Sequence, residues 1–86
     1  MLDEDRQTTA PTVAAEVDAR GLSCPMPVIE LAKAIEAVEV GELVRLTATD
    51  PATRVDVPVW CRMQGHRLHA QRETEGVVSF EIERAR

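Results

Sequence analysis

Apolar and polar residues first alternate at Val13, Ala15, Val17 and Ala19, with Glu16 and Asp18 between them. A period of two marks a half-buried strand, here over about 14–19. Gly21 interrupts it and Pro25 supplies a rigid helix start. Val28, Leu31, Ala32, Ile35 and Val38 then recur at helical spacing, while Glu30, Lys33 and Glu36 fall on other faces. That spacing predicts an amphipathic helix near 25–39, closed by Gly41. Alternation returns over 43–49, with Val44, Leu46 and Ala48 on one side, and Asp50-Pro51 ends it.

A second helix is expected near 53–64, burying Val55, Val59, Trp60 and Met63 and stopping at Gly65. Pro58 is awkward there, because it removes one helical hydrogen bond and crowds the preceding turn. A loose first turn followed by a regular helix from Val57, with Asp56 as its N-cap, accommodates it; a kink is the other solution. Strands near 67–73 and 77–84 flank Thr74-Glu75-Gly76 as a hairpin, with Val78, Phe80 and Ile82 alternating against Ser79, Glu81 and Glu83. The order βαβαββ predicts an α/β two-layer sandwich, a four-stranded mixed sheet with two helices on one face. Residues 1–12 are polar and aperiodic, which predicts a disordered N-terminal tail before a single domain over 13–86.

A chain of 86 residues has room for one small core. Its net charge of −5 and its two aromatic residues, Trp60 and Phe80, change the functional picture. Phosphate backbones select basic faces, and single-strand binding uses aromatic stacking platforms. No direct nucleic-acid partner is therefore expected, and a basic protein partner fits better. No apolar run approaches the ~20 residues that span a bilayer, and the acidic start, Met1 to Arg6, has no hydrophobic stretch behind it. A cytoplasmic protein with no membrane partner is expected, with one or both of its thiols free.

Candidate chemistry centres on Asp18-Ala19-Arg20-Gly21-Leu22-Ser23-Cys24-Pro25-Met26-Pro27, a strand end, a turn and a helix start. Cys24 falls where an N-cap would stand, at the positive end of a helix dipole, which favours the thiolate. Arg20 would add to this. Pro25 and Pro27 lack N–H groups, so only Met26 and Val28 offer amides nearby. A mild lowering of the thiol pKa follows. The prolines hold the thiol on a stiff turn that loses little entropy when a partner docks. A presented thiol with no base attached suits a carrier more than a catalyst. Free cysteines are also among the most buried residue types, so an inert packing thiol is the other reading of these residues alone.

The segment from Asp18 through Gly21 to Cys24-Pro25-Met26-Pro27 closely resembles the signature of the TusA (SirA-like) family of sulfur carriers. Asp50-Pro51-Ala52-Thr53 and Asp56-Val57-Pro58-Val59-Trp60-Cys61 resemble that family's second block, and Gly65-His66 its helix end. The resemblance runs from about 16 to 82. It implies a βαβαββ sandwich whose Cys24 accepts sulfur as a persulfide, with Asp18, Gly21, Pro25 and Pro27 as the supporting motif. It also implies a cysteine desulfurase or rhodanese-type donor and a downstream acceptor protein. The acceptor would serve tRNA thiolation, molybdenum-cofactor chemistry or sulfur oxidation, and selenium-linked relatives share the motif. Such a protein is a stoichiometric carrier, a sulfurtransferase in the broad sense, and needs no cofactor.

Other constellations are weaker. Cys24, Cys61, His66 and His69 lack the close pairing of zinc ligands, so no metal is expected. Cys61 reads as a packing residue, and the two histidines as decoration of the third strand's edge. Asp50 reads first as a helix N-cap; if the first two strands are parallel, it shares a rim with Cys24. Arg20, Met26, Asp50 and Trp60 are the candidate partner-docking residues, although Trp60 also suits the edge of the core. Two alternatives stay open. One is a regulatory or RNA-binding module, since the fold resembles the C-terminal domain of bacterial translation initiation factor three. The other is a thiol redox protein that would join Cys24 to Cys61.

Overall fold

A computed structural model describes residues 12–86. The elements run β1 (Val13–Ala19), α1 (Met26–Ala37), β2 (Leu43–Ala48), α2 (Thr53–Gln64), β3 (Arg67–Thr74) and β4 (Val77–Glu83). The strands form one sheet in the order β1-β2-β4-β3. β1 and β2 are parallel, whereas β4 is antiparallel to both β2 and β3. The expected mixed sheet and βαβαββ order are therefore present. Of the expected tail, residues 1–11 lie outside the described residues; Thr12 already joins the sheet, its carbonyl accepting the Leu43 N–H at 2.9 Å.

Both helices cover the same sheet face, and the core lies between the layers. Central strands β2 and β4 supply Val44, Leu46, Ala48, Val78, Phe80 and Ile82, which meet Leu31 and Ile35 of α1 and Val57 and Cys61 of α2. Each fully buried aliphatic or aromatic side chain contributes roughly 1.5–3 kcal/mol. Edge strand β3 is covered far less, and its outward side chains are mostly exposed. The uncovered face is an ion-pair ladder: Arg45 bridges Glu16 and Glu81, and Glu83 meets Arg67 and His69. The hairpin turns on Glu75 and Gly76, both at positive φ, the geometry that matches the right-handed twist of the strands.

Helix α2 departs from the expected face. Thr53, Val57 and Cys61 are its buried residues, whereas Val55, Val59 and Met63 are exposed and Trp60 is only half-buried. The sequence carries apolar residues on two faces of this helix, and the sheet selects the one that also bears the small Thr53 and Cys61. The helix also runs unbroken from Thr53, with Pro58 inside and Asp56 in its first turn, instead of starting at Val57. The carbonyl that Pro58 leaves unpaired belongs to Arg54, an exposed residue whose backbone can be solvated. Gly65 ends α2 in the left-handed conformation as expected.

Candidate functional site

Because β1 and β2 are parallel, the loops that follow them leave the same edge of the sheet. Two hydrogen bonds join these loops. The Gly21 N–H donates to Thr49 Oγ1 at 2.9 Å, and the Cys24 N–H donates to Asp50 Oδ2 at 2.7 Å. Asp50 also accepts from the Ala52 N–H through Oδ1 at 3.0 Å, and its carbonyl accepts from Thr53. Ala52 itself occupies the N-cap of α2. Asp50 is thus a tie between the Cys24 loop and the start of α2, not a simple cap.

Cys24 is exposed, and its Sγ lies 3.0 Å from Asp56 Oδ2. The thiol proton points at a carboxylate carried by the second helix. This reverses the expected electrostatics. The Asp56 hydrogen bond, desolvation and the negative charges of Asp56 and Asp50 together raise the Cys24 pKa above the ordinary thiol value. Every local source of thiolate stabilisation is otherwise engaged. The N-cap of α1 is Pro25, not Cys24, which places the sulfur one residue further from the helix. The Met26 N–H is taken by the Ser23 carbonyl and the Val28 N–H by that of Pro25. Arg20 is held by Asp18 in a two-pronged ion pair, with both contacts at 2.9 Å. That pairing lowers the Asp18 pKa to about 2 and turns the guanidinium to its own neighbour.

The supporting residues divide by role. Pro27, in the first turn of α1, is buried, whereas Pro25 is exposed beside the sulfur, and the Cys24–Pro25 peptide is cis. Gly21 has φ +83°, a conformation that glycine adopts without strain. Met26 is exposed next to Cys24. Trp60 packs against the core and tilts over the His66 ring at a centroid distance of 5.5 Å. His66 therefore lies under the end of α2 and not on the edge of β3, and its Nδ1 accepts the Ala85 N–H. His69 does lie on β3, paired with Glu83. Cys61 is 2% exposed, and burial raises its pKa to about 11.

Asp56 is the residue that the sequence reading assigned to capping alone. Its place inside a motif block was the available signal, but its target lies 32 residues away. Among the described residues no three histidine, cysteine or acidic side chains gather as metal ligands, and no helix is long and apolar enough to cross a membrane.

The family model described as Sulfurtransferase TusA matches residues 15–84. The sulfur carrier protein TusA of Pseudomonas syringae pv. syringae is 44% identical over 71 residues, covering 83% of this chain and 84% of that protein. The protein of the same name from Pseudomonas putida (strain GB-1) is 41% identical over 71 residues, with 83% and 89% covered. A crystal structure of a SirA-like protein from Desulfitobacterium hafniense superposes with a TM-score of 0.73 at 26% identity, covering 84% of this chain and 99% of that one.

Proposed function

The chain belongs to the TusA family of sulfur carriers, and from that premise we propose that Cys24 bears the sulfur, as a persulfide in transit between two proteins. One observation carries the reading: an exposed thiol held at the sheet rim by Asp50 through its main chain and by Asp56 through its sulfur. The donor is a protein persulfide, of cysteine desulfurase or rhodanese type. Cys24, as thiolate, attacks the terminal sulfur of that persulfide. The new S–S bond forms on Sγ, the donor's S–S bond breaks, and the donor's thiolate departs and takes a proton. Delivery to the acceptor repeats the exchange with Cys24 as leaving group, so no net oxidation occurs. The acceptor acts in tRNA thiolation, molybdenum-cofactor synthesis or sulfur oxidation, and a reducing cytoplasm suits a thiol left free.

Asp56 gives this carrier a resting state. While it accepts the thiol proton, Cys24 stays neutral and poorly nucleophilic. A cationic group of the docking partner, placed against Asp50 and Asp56, offsets their charge and lets the proton leave. The docking surface is Met26 with this acidic pair, extended by the exposed Val55 and Val59 on the same helix as Asp56. Arg20 flanks it, already engaged by Asp18, whereas Trp60 turns towards His66 at the other end of α2 and stands apart from this surface.

After incubation with a cysteine desulfurase and cysteine, mass spectrometry is expected to find one added sulfur atom on the peptide containing Cys24. Sulfur on Cys61, or on neither, would overturn the proposal. In the unloaded protein, Asp56→Asn is expected to lower the Cys24 pKa and speed its alkylation by iodoacetamide several-fold near neutral pH. The gain is smaller than the rise in thiolate, because each tenfold increase in thiolate is discounted about threefold by lost nucleophilicity. An unchanged pH profile of alkylation would remove Asp56 from the mechanism.

A further inference from the structure

The acids of the strands are paired: Glu16, Asp18, Glu73, Glu81 and Glu83 each meet a cation. Asp50 and Asp56, the two acids beside Cys24, differ. Among the described residues neither has a cationic partner. Asp50 accepts the N–H groups of Cys24 and Ala52, and Asp56 accepts the thiol of Cys24. Main-chain donors keep a carboxylate ionised without cancelling its charge, and those of Ala52 and Cys24 hold the Asp50 carboxyl below its usual value. Two arginines lie close in sequence, Arg20 on the Cys24 loop and Arg54 in the first turn of α2. Both are engaged elsewhere, by Asp18 and by Glu73. Cys24 is therefore an exposed thiol in a field of one sign.

That sign bears directly on sulfur exchange. The attacking group is an anion, and the negative charge passes along the sulfurs to the one that leaves. An anionic reagent must therefore approach the thiolate and both carboxylates at once. A cationic one is drawn in by all of them. We infer that Asp50 and Asp56 set the donor specificity of Cys24: their uncancelled charge turns away anionic low-molecular-weight disulfides and persulfides and reserves the thiol for a donor that brings positive charge to the rim. The inference rests on Cys24 as the carrier residue and adds the class of donor it accepts. Its test reads exchange at Cys24 without a desulfurase. Absence of sulfur on Cys24 after desulfurase treatment would thus sink the carrier reading alone, and the rates below would sink the filter alone.

The probes are symmetric disulfides of similar size: cystamine, cationic at both ends; bis(2-hydroxyethyl) disulfide, neutral; and dithiodiglycolate, anionic at both ends. With each, the Cys24 thiolate attacks one sulfur and a mixed disulfide forms on Sγ. The reagent's S–S bond breaks and one thiolate leaves with the electron pair, so the reagent is reduced as Cys24 is oxidised. The mixed disulfide on the Cys24 peptide is followed by mass spectrometry. Dividing each rate by that of N-acetylcysteinamide, a neutral thiol, removes the differences between leaving groups. At low salt, cystamine is expected to react at least about fivefold faster than the neutral disulfide and dithiodiglycolate at least about fivefold slower, the scale of unit charges roughly 5 Å apart in water. In about 1 M KCl, where the Debye length is about 3 Å, the whole spread should shrink to roughly twofold. Asp56→Asn should narrow the low-salt spread by at least about threefold, because one of two carboxylates is gone. A raised thiolate fraction in that variant speeds all the reagents alike and leaves their ratios unchanged, so the spread reports the field and not the pKa. A normalised low-salt spread below about twofold, or one that salt leaves unchanged, would overturn the filter. A parent-like spread in Asp56→Asn with a parent-like circular dichroism spectrum would overturn it as well, and the salt series on the parent decides the matter if the variant does not fold.

Discussion

Cys24→Ser is expected to abolish sulfur loading completely while leaving the unfolding midpoint where it was. The sulfur is exposed, so its loss opens no cavity, and a serine hydroxyl can donate to Asp56 Oδ2 in its place. The main-chain bond to Asp50 is unaffected by the side chain. Cys61→Ser should do the reverse. It keeps full loading but loses on the order of 1 kcal/mol or more, because a hydroxyl replaces a thiol among Val57, Leu46 and the rest of the core. Mass spectrometry of the loaded variants and urea melts of the unloaded ones separate the two roles. Normal loading of Cys24→Ser would refute the assignment of the carrier residue.

Stability should fall as pH rises from about 9 to about 11, and Cys61 should account for a definite share of that fall. Its folded pKa is raised from 9.0 to about 11, so the native thiol keeps a proton that the unfolded one has already released. A group of this kind stabilises the fold fully below the unfolded pKa, and its contribution is lost as pH climbs through the folded one. Two pKa units correspond to roughly 2–3 kcal/mol. The measurement is made in the Cys24→Ser background, which removes the other thiol. Urea unfolding at about pH 8 and about pH 11 is compared for that protein and for the same protein carrying Cys61→Ala. The alanine variant starts less stable but should lose roughly 2–3 kcal/mol less across the interval. Equal losses in the two proteins would mean that Cys61 does not titrate against the core.

Strands β1, β2 and β4 and helix α1 were legible because each turns one face to the opposite layer, and such burial writes its period into the chain. Val44, Leu46 and Ala48 on β2, and Val78, Phe80 and Ile82 on β4, alternate in sequence and are all buried in the structure. Helix α2 was legible in extent but not in orientation. Val55, Val59 and Met63 recur at helical spacing, and so do Thr53, Val57 and Cys61; a helical period cannot say which of two stripes meets a sheet. The stripe left outside became the exposed apolar flank of Asp56.

The sequence by itself located the thiol that is presented at the rim, since the strand end, turn, prolines and helix start around Cys24 are contiguous and their geometry is local. It could not determine the protonation of that thiol. Local features alone, a helix terminus and a nearby arginine, argued for a lowered pKa. The parallel pairing of β1 with β2 brings a second strand-to-helix loop to the same rim, and with it Asp50 on the Cys24 amide and Asp56 on the sulfur. Arg20 is meanwhile retained by Asp18. The electrostatic environment of a side chain is the sum over its neighbours in space, and for Cys24 the decisive ones lie 26 and 32 residues away. Only the tertiary structure decided that this presented thiol rests protonated, against a carboxylate.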